Sequence, residues 1–254
     1  MKLFQTFRHP VPTFRDQIYV ADKQLTPEFC KACIEKFESD PAIYSGVTAS
    51  GLQVDTKQSD DLVISNYNRW NKEDNQIANQ LTKNLNNFFV SFGERFSWWT
   101  HPEIHDTGYQ IQRTHPNGFY NWHSDAGNST RWYTFIFYLN DIKNDGYTEF
   151  IDGTRIQPKT GRLLLFPATD IYAHRGVAPK DEIKYILTGW LHRDFDGDTR
   201  IKGKWHDLIT EPEKHNPTLD DLPENRFDAE DQHITLIEGE ELDIEDNNVQ
   251  MILD

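Results

Sequence analysis

Thr134-Phe135-Ile136-Phe137-Tyr138-Leu139-Asn140-Asp141 reads as a β-strand that runs into a turn. Aromatic and β-branched side chains fit a pleated, packed surface, and Asn-Asp favours local turn geometry. Runs of the same kind lie on either side of it, at Tyr109 to Arg113, Arg162 to Phe166 and Lys184 to Leu191. Turn signals separate them at Pro116-Asn117-Gly118, Asp152-Gly153 and Pro158-Lys159-Thr160-Gly161. Many short strands punctuated in this way predict a sandwich or jelly roll over residues 108 to 192, with no internal repeat.

Before the strands the pattern is helical. Thr26 and Pro27 look like an N-cap and first helical residue, and the helix they open runs to about Glu38, stopping before Asp40-Pro41. A second helix is predicted from about Lys72 to Gly93, because Ile77, Leu81, Leu85, Phe88, Phe89 and Phe92 keep a 3.6-residue period. Such a stripe braces a sheet. Gly46 to Ser65 reads as loop and strand, and alternating segments such as Gln17-Ile18-Tyr19-Val20-Ala21 begin a sheet within residues 1 to 22. The expected class is mainly β with flanking helices, built on a double-stranded β-helix (jelly-roll) core.

Charge divides the chain. Residues 196 to 254 hold 18 acidic and 5 basic residues, net −13, whereas residues 1 to 195 are nearly neutral at −2. We therefore expect a domain over 1–195 and an acidic C-terminal extension over 196–254. Asp196-Gly197-Asp198 and the run from Glu211 to Asp231 read as linker, and His233 to Ile244 as a short hairpin around Gly239. Neither part offers the basic surface that nucleic acid requires. Residues 1 to 10 have no apolar run after their early charge, and no stretch of about 18 apolar residues exists, so no signal peptide and no membrane partner are expected. The expected location is cytoplasmic, in soluble form.

Tyr120-Asn121-Trp122-His123-Ser124-Asp125 carries the chemistry. On an extended strand His123 and Asp125 would project from one side while Ser124 points away. With His174 from a distant strand they would form the two-histidine, one-carboxylate set that holds non-haem Fe(II) and leaves coordination positions open. Lys184, Ile186 and Thr188 would share one face of the last strand. A lysine in so apolar a run is costly to bury unless it meets an anion.

Other motifs fail on their mechanics. Cys30-Lys31-Ala32-Cys33 falls inside the first helix, on the face of Phe29, Ile34 and Phe37, which predicts core cysteines. His101-Pro102-Glu103-Ile104-His105 has zinc-protease spacing, but proline disrupts the helix and the glutamate is misplaced. His192-Arg193-Asp194 is a second His-x-Asp, yet the asparagine a kinase loop needs five residues on is Thr199.

The ordered set of residues from 108 to 192 resembles the Fe(II)/2-oxoglutarate-dependent dioxygenases of the prolyl 4-hydroxylase type. After His123-Ser124-Asp125 come Arg131, Thr134, Tyr138 and Leu139, then Gly146-Tyr147-Thr148-Glu149-Phe150, Pro158 to Phe166, His174, Lys184 and Trp190. The resemblance implies His123, Asp125 and His174 as metal ligands and catalytic centre. It implies Lys184, Tyr138 and Thr188 as the 2-oxoglutarate site, with Lys184 and the Tyr138 hydroxyl on the far carboxylate. Fe(II) would be the metal, 2-oxoglutarate and O2 the cosubstrates and ascorbate a further bound cofactor. The reaction implied is hydroxylation of a C–H bond in a prolyl or other residue of a protein or peptide, releasing succinate and CO2. Two departures leave the substrate open: a tyrosine that many members carry nine residues before the first metal histidine is Thr114, and the usual Gly-Gly-Glu-Thr turn is Asp145-Gly146-Tyr147-Thr148. The alternatives are hydroxylation of a free amino acid or other small molecule, and a non-catalytic jelly-roll binding or assembly module.

Overall fold

The computed structural model describes residues 13–48, 51–95, 104–127 and 130–193. The acidic extension, its linker and its hairpin lie outside the described residues. So do residues 1–12 and the start of the His101 motif.

Among the described residues, twelve strands and two α-helices follow one another. They are β1 (Tyr19–Ala21), α1 (Pro27–Glu38), β2 (Tyr44–Ser45), β3 (Asp60–Val63), α2 (Asn71–Arg95), β4 (Ile104–Asp106), β5 (Gln110–Thr114) and β6 (Tyr120–His123), followed by β7 (Arg131–Tyr138), β8 (Thr148–Phe150), β9 (Arg155–Ile156), β10 (Leu163–Pro167), β11 (His174–Gly176) and β12 (Lys184–Arg193). The large sheet runs β1-β10-β7-β12-β5-β3-β2, with β4 also pairing β12, and the small one runs β6-β11-β8-β9. Every pairing is antiparallel, giving two facing sheets of jelly-roll type with helices behind the larger.

The alternation of β7 explains the layering. Tyr133, Phe135 and Phe137 join Leu163, Leu165 and Leu187 in a core with Cys30, Cys33 and Phe37 of α1 and Ile77, Leu81, Leu85, Phe88 and Phe89 of α2. The intervening Ile136 and Tyr138 join Leu164, Phe166, Phe150 and Tyr172 in a second cluster between the sheets. The large sheet is thus buried on both faces, which is why its strands read as nearly unbroken apolar runs. Packing also explains α2, which carries asparagines at 75, 79, 84, 86 and 87. Each buried large apolar side chain contributes about 1.5–3 kcal/mol, against propensity losses of at most about 0.7 kcal/mol per residue.

At the front of α1 the Thr26 hydroxyl accepts from the Phe29 amide at 3.2 Å, so the cap lies where the sequence places it. Both cysteines are fully buried, and burial pushes their thiols up to about 11 for Cys30 and about 12 for Cys33. His192 is held in the core by Thr130 at 2.9 Å and Thr107 at 3.3 Å, and His105 lies on β4 rather than a helix. The expected strand at Gln17–Ala21 is shorter, because Phe14–Gln17 forms a 3₁₀ turn closed by a Thr13–Asp16 capping box. No helix among the described residues is long and apolar enough to cross a membrane.

Candidate active site

Strand pairing brings the two histidines together. β6 and β11 are antiparallel neighbours and His123 stands directly opposite His174, so the rings meet at 4.3 Å between centroids. Asp125 arrives differently. The sequence places it on the same extended strand as His123, but β6 ends at His123 and Asp125 sits two residues on, in a bend. The Thr134 hydroxyl donates to Asp125 Oδ2 at 2.7 Å and fixes the carboxylate against β7. Ser124 turns away and donates to Asp170 at 2.7 Å, tying the bend to the turn that precedes β11. Tertiary hydrogen bonds, not strand alternation, place this carboxylate.

One ligand atom from each of His123, Asp125 and His174 lies within 4.8 Å of the others. His123 Nε2 is 3.9 Å from Asp125 Oδ1, and His174 Nε2 is 3.7 Å from Oδ2. His123 Nδ1 faces the Asn121 carbonyl at 2.8 Å and His174 Nδ1 faces the Tyr172 carbonyl at 3.1 Å. A carbonyl only accepts, so each neutral ring carries its proton on Nδ1 and leaves the Nε2 lone pair toward the cluster. Burial, and then the neighbouring His174, hold His123 well below the usual imidazole range. Burial works against the charge on Asp125, but His174, His123 and the Thr134 hydroxyl outweigh it and lower its pKa. With the carbonyls at Nδ1, both rings turn Nε2 toward the Asp125 carboxylate, the donor set that metal ligation needs.

The cluster opens into a cavity between the sheets, whose walls include Gln112, Ile136, Thr148, Lys184, Ile186, Thr188 and Trp190. Lys184 is 5% exposed, and its ammonium donates to the Gly146 carbonyl at 3.3 Å. No carboxylate among the described residues pairs with it, and burial pushes its ammonium down to about 8. Asp145 and Gly146 both take positive φ, 59° and 67°, and this turn aims that carbonyl inward. A Cβ at Gly176 would stand 3.6 Å from Lys184 Nζ. The ammonium therefore lies beside the strand that carries His174, two residues along, which is roughly 6–7 Å.

Thr188 shares this wall, its hydroxyl donating to the Phe135 carbonyl at 2.7 Å. Tyr138 belongs to the inter-sheet cluster and its hydroxyl bonds Thr148 Oγ1 at 2.7 Å, so Thr148 is the residue of that pair that faces the cavity. The sequence reading missed Lys57, Ser59 and Phe119, which also line the cavity. Lys57 sits in the polar run Asp55 to Asp61, where an ordinary solvated loop leaves the same signature.

Residues 109–192 match the family model described as the 2OG-Fe(II) oxygenase superfamily. No curated protein matches the chain. Solved structures of similar fold include the viral collagen prolyl hydroxylase of Paramecium Bursaria Chlorella virus-1 in its 2OG complex, at 17% identity and TM-score 0.51, over 70% of this chain and 97% of that one. A Pseudomonas putida prolyl-4-hydroxylase is similar at 15% identity and TM-score 0.51, over 70% and 93%. A Trichoplax adhaerens prolyl hydroxylase in complex with a hypoxia inducible factor peptide is similar at 17% identity and TM-score 0.55, over 70% and 84%.

Proposed function

We propose, from the premise that residues 109–192 are a 2-oxoglutarate/Fe(II) oxygenase domain of prolyl 4-hydroxylase-like kind, that this chain hydroxylates a C–H bond in a prolyl or other residue of a protein or peptide. The observation that carries the reading is a preformed two-histidine, one-carboxylate cluster sharing one cavity with a buried lysine that has no acidic partner among the described residues. His123 and His174 through Nε2, and Asp125 through its carboxylate, would hold Fe(II). When bound, the metal would let O2 take two electrons from the oxidative decarboxylation of 2-oxoglutarate to succinate and CO2 and two from the substrate C–H bond, one oxygen atom ending in succinate and the other in the new hydroxyl.

The chain's own residues do the rest. Lys184 takes the far carboxylate of 2-oxoglutarate through a charge-assisted hydrogen bond, and Thr188 walls that end of the cavity. Tyr138 would act on the same carboxylate through Thr148, which its hydroxyl holds at 2.7 Å and which faces the cavity. Thr134 holds Asp125 in place, and the carbonyls of Asn121 and Tyr172 hold the protons on the two Nδ1 atoms. Ile136, Ile186 and Trp190 add apolar wall to the cavity, which would strengthen the Lys184 contact. Ascorbate is carried as a proposed reductant. A peptide substrate is supported by the similar Trichoplax enzyme, whose structure holds one.

The test supplies the full chain with Fe(II), 2-oxoglutarate, O2 and proline-containing peptides, and reads succinate together with the mass of each peptide. Succinate that rises with a peptide gaining one oxygen atom is the expected result. Turnover stimulated only by free amino acids would move the substrate to the small-molecule class. No turnover under any condition would leave a binding module.

A further inference from the structure

The cavity holds a second buried lysine that the chemistry above does not use. We propose that Lys57, acting through the Tyr120 ring, is a positioning residue for the His123 imidazole. The inference rests on the reading of His123 as a metal ligand.

Its groups form one connected chain. Asp61 is fully buried in β3 and accepts from Lys57 Nζ at 2.5 Å, from Gln110 at 3.0 Å and from Ser59 at 2.8 Å. Lys57 also donates to the Val47 carbonyl at 3.3 Å, and its Nζ lies 5.4 Å from the centroid of the Tyr120 ring. That ring stacks on His123 at 3.5 Å between centroids and 12° between planes. The backbone carries the same connection: Lys57 and Tyr120 form an antiparallel bridge, the Gln58 amide donates to the Phe119 carbonyl at 2.8 Å, and the Asn121 amide donates to the Thr56 carbonyl at 2.8 Å.

The need for such support follows from the topology. β6 lies at the end of the four-stranded sheet, and it ends at His123. His174 sits deeper, against Phe166 at 4.7 Å and Phe150 at 5.8 Å, so packing on two rings joins the Tyr172 carbonyl in fixing it. His123 has the Asn121 carbonyl on one edge and Tyr120 against its face. The segment around Lys57 closes the open edge of β6, and the ion pair with Asp61 anchors the ammonium that meets the phenol ring. Partners that orient a ligating histidine typically matter 10–100-fold, in order of magnitude, for metal affinity.

The test titrates full-length protein with Co(II) alone and follows the visible absorption of the bound metal, beside a thermal melt. Tyr120→Leu removes the stacked ring and leaves the ion pair intact; Tyr120→Phe keeps the ring; Lys57→Met with Asp61→Asn removes the anchor without stranding a buried charge. Co(II) affinity should fall about 10-fold or more in Tyr120→Leu and in the double variant, with an altered spectrum, and Tyr120→Phe should restore it. Wild-type affinity and spectrum in Tyr120→Leu would overturn the proposal, and this variant decides the matter if the double variant does not fold. His123→Ala separates the two layers of the argument. Loss of Co(II) binding there, with Tyr120→Leu unaffected, sinks only the positioning role, whereas wild-type binding in His123→Ala sinks the ligand assignment beneath it.

Discussion

Two lysines stand in the walls of one cavity, each 5% exposed, and their surroundings differ in kind. Lys57 meets a fully buried carboxylate, a backbone carbonyl and an aromatic ring. Lys184 meets one carbonyl and no acid among the described residues, and its ammonium is pushed down to about 8 by burial alone. A buried charge that is already satisfied belongs to the structure; a buried charge left without its counter-ion is reserved for a ligand. The difference places Lys57 with the scaffold and supports the proposal that Lys184 meets an anion from outside.

The largest effect should come from the cluster that this anion is to reach. His123→Ala, Asp125→Ala or His174→Ala should each abolish 2-oxoglutarate turnover while circular dichroism and melting stay close to wild type. Full activity in any one of them would remove that residue from the ligand set. The next effect separates the lysines by stability. Lys57→Met strands the Asp61 carboxylate in the core and should cost about 3–5 kcal/mol in denaturant unfolding. Lys184→Met removes an unpaired buried charge and should leave stability unchanged or raised; equal losses in both would erase the contrast.

pH gives a smaller effect with a definite sign. The folded-state pKa of Lys184, about 8, lies below the ordinary 10.5. Below about pH 8 the ammonium is charged in both folded and unfolded states, and the cost of burying it is fully present. Between the two values the folded state loses its proton first, so this residue's contribution to stability rises with pH. Binding of an anion runs the other way: 2-oxoglutarate affinity should be flat below about pH 8 and weaken by up to about tenfold per unit above it. Lys184→Arg should abolish that break, since arginine keeps its charge. The smallest effect concerns the extension. A chain ending near Phe195 should keep 2-oxoglutarate turnover in the absence of substrate, because every residue of the proposed site precedes it, and loss of folding on truncation would move the domain boundary.

The same contrast explains what the sequence could disclose. Lys184 is legible because Ile183, Tyr185, Ile186 and Leu187 surround it, so its burial can be read locally. Lys57 lies among Asp55, Thr56, Gln58, Ser59 and Asp60, and its burial depends on Asp61 and Tyr120 meeting it across the fold. The jelly-roll strands are legible for a similar reason, since β-favouring runs between turn signals are local. The pairing of His123 with His174 is a matter of register between residues 51 positions apart, which no local pattern encodes. Asp125 shows the limit most clearly: alternation gives the right neighbour by the wrong route, because the strand has ended and Thr134 does the placing.

The central claim is that Lys184 awaits the far carboxylate of 2-oxoglutarate, and a calorimetric titration of that keto acid into anaerobic Fe(II)-loaded protein tests it directly. Lys184→Met keeps most of the apolar stem and removes the charge, so 2-oxoglutarate affinity should fall by roughly 30-fold or more at pH 7 while Fe(II) affinity stays as in wild type. Unchanged 2-oxoglutarate affinity in Lys184→Met would contradict the assignment, and with it the contrast between the two lysines.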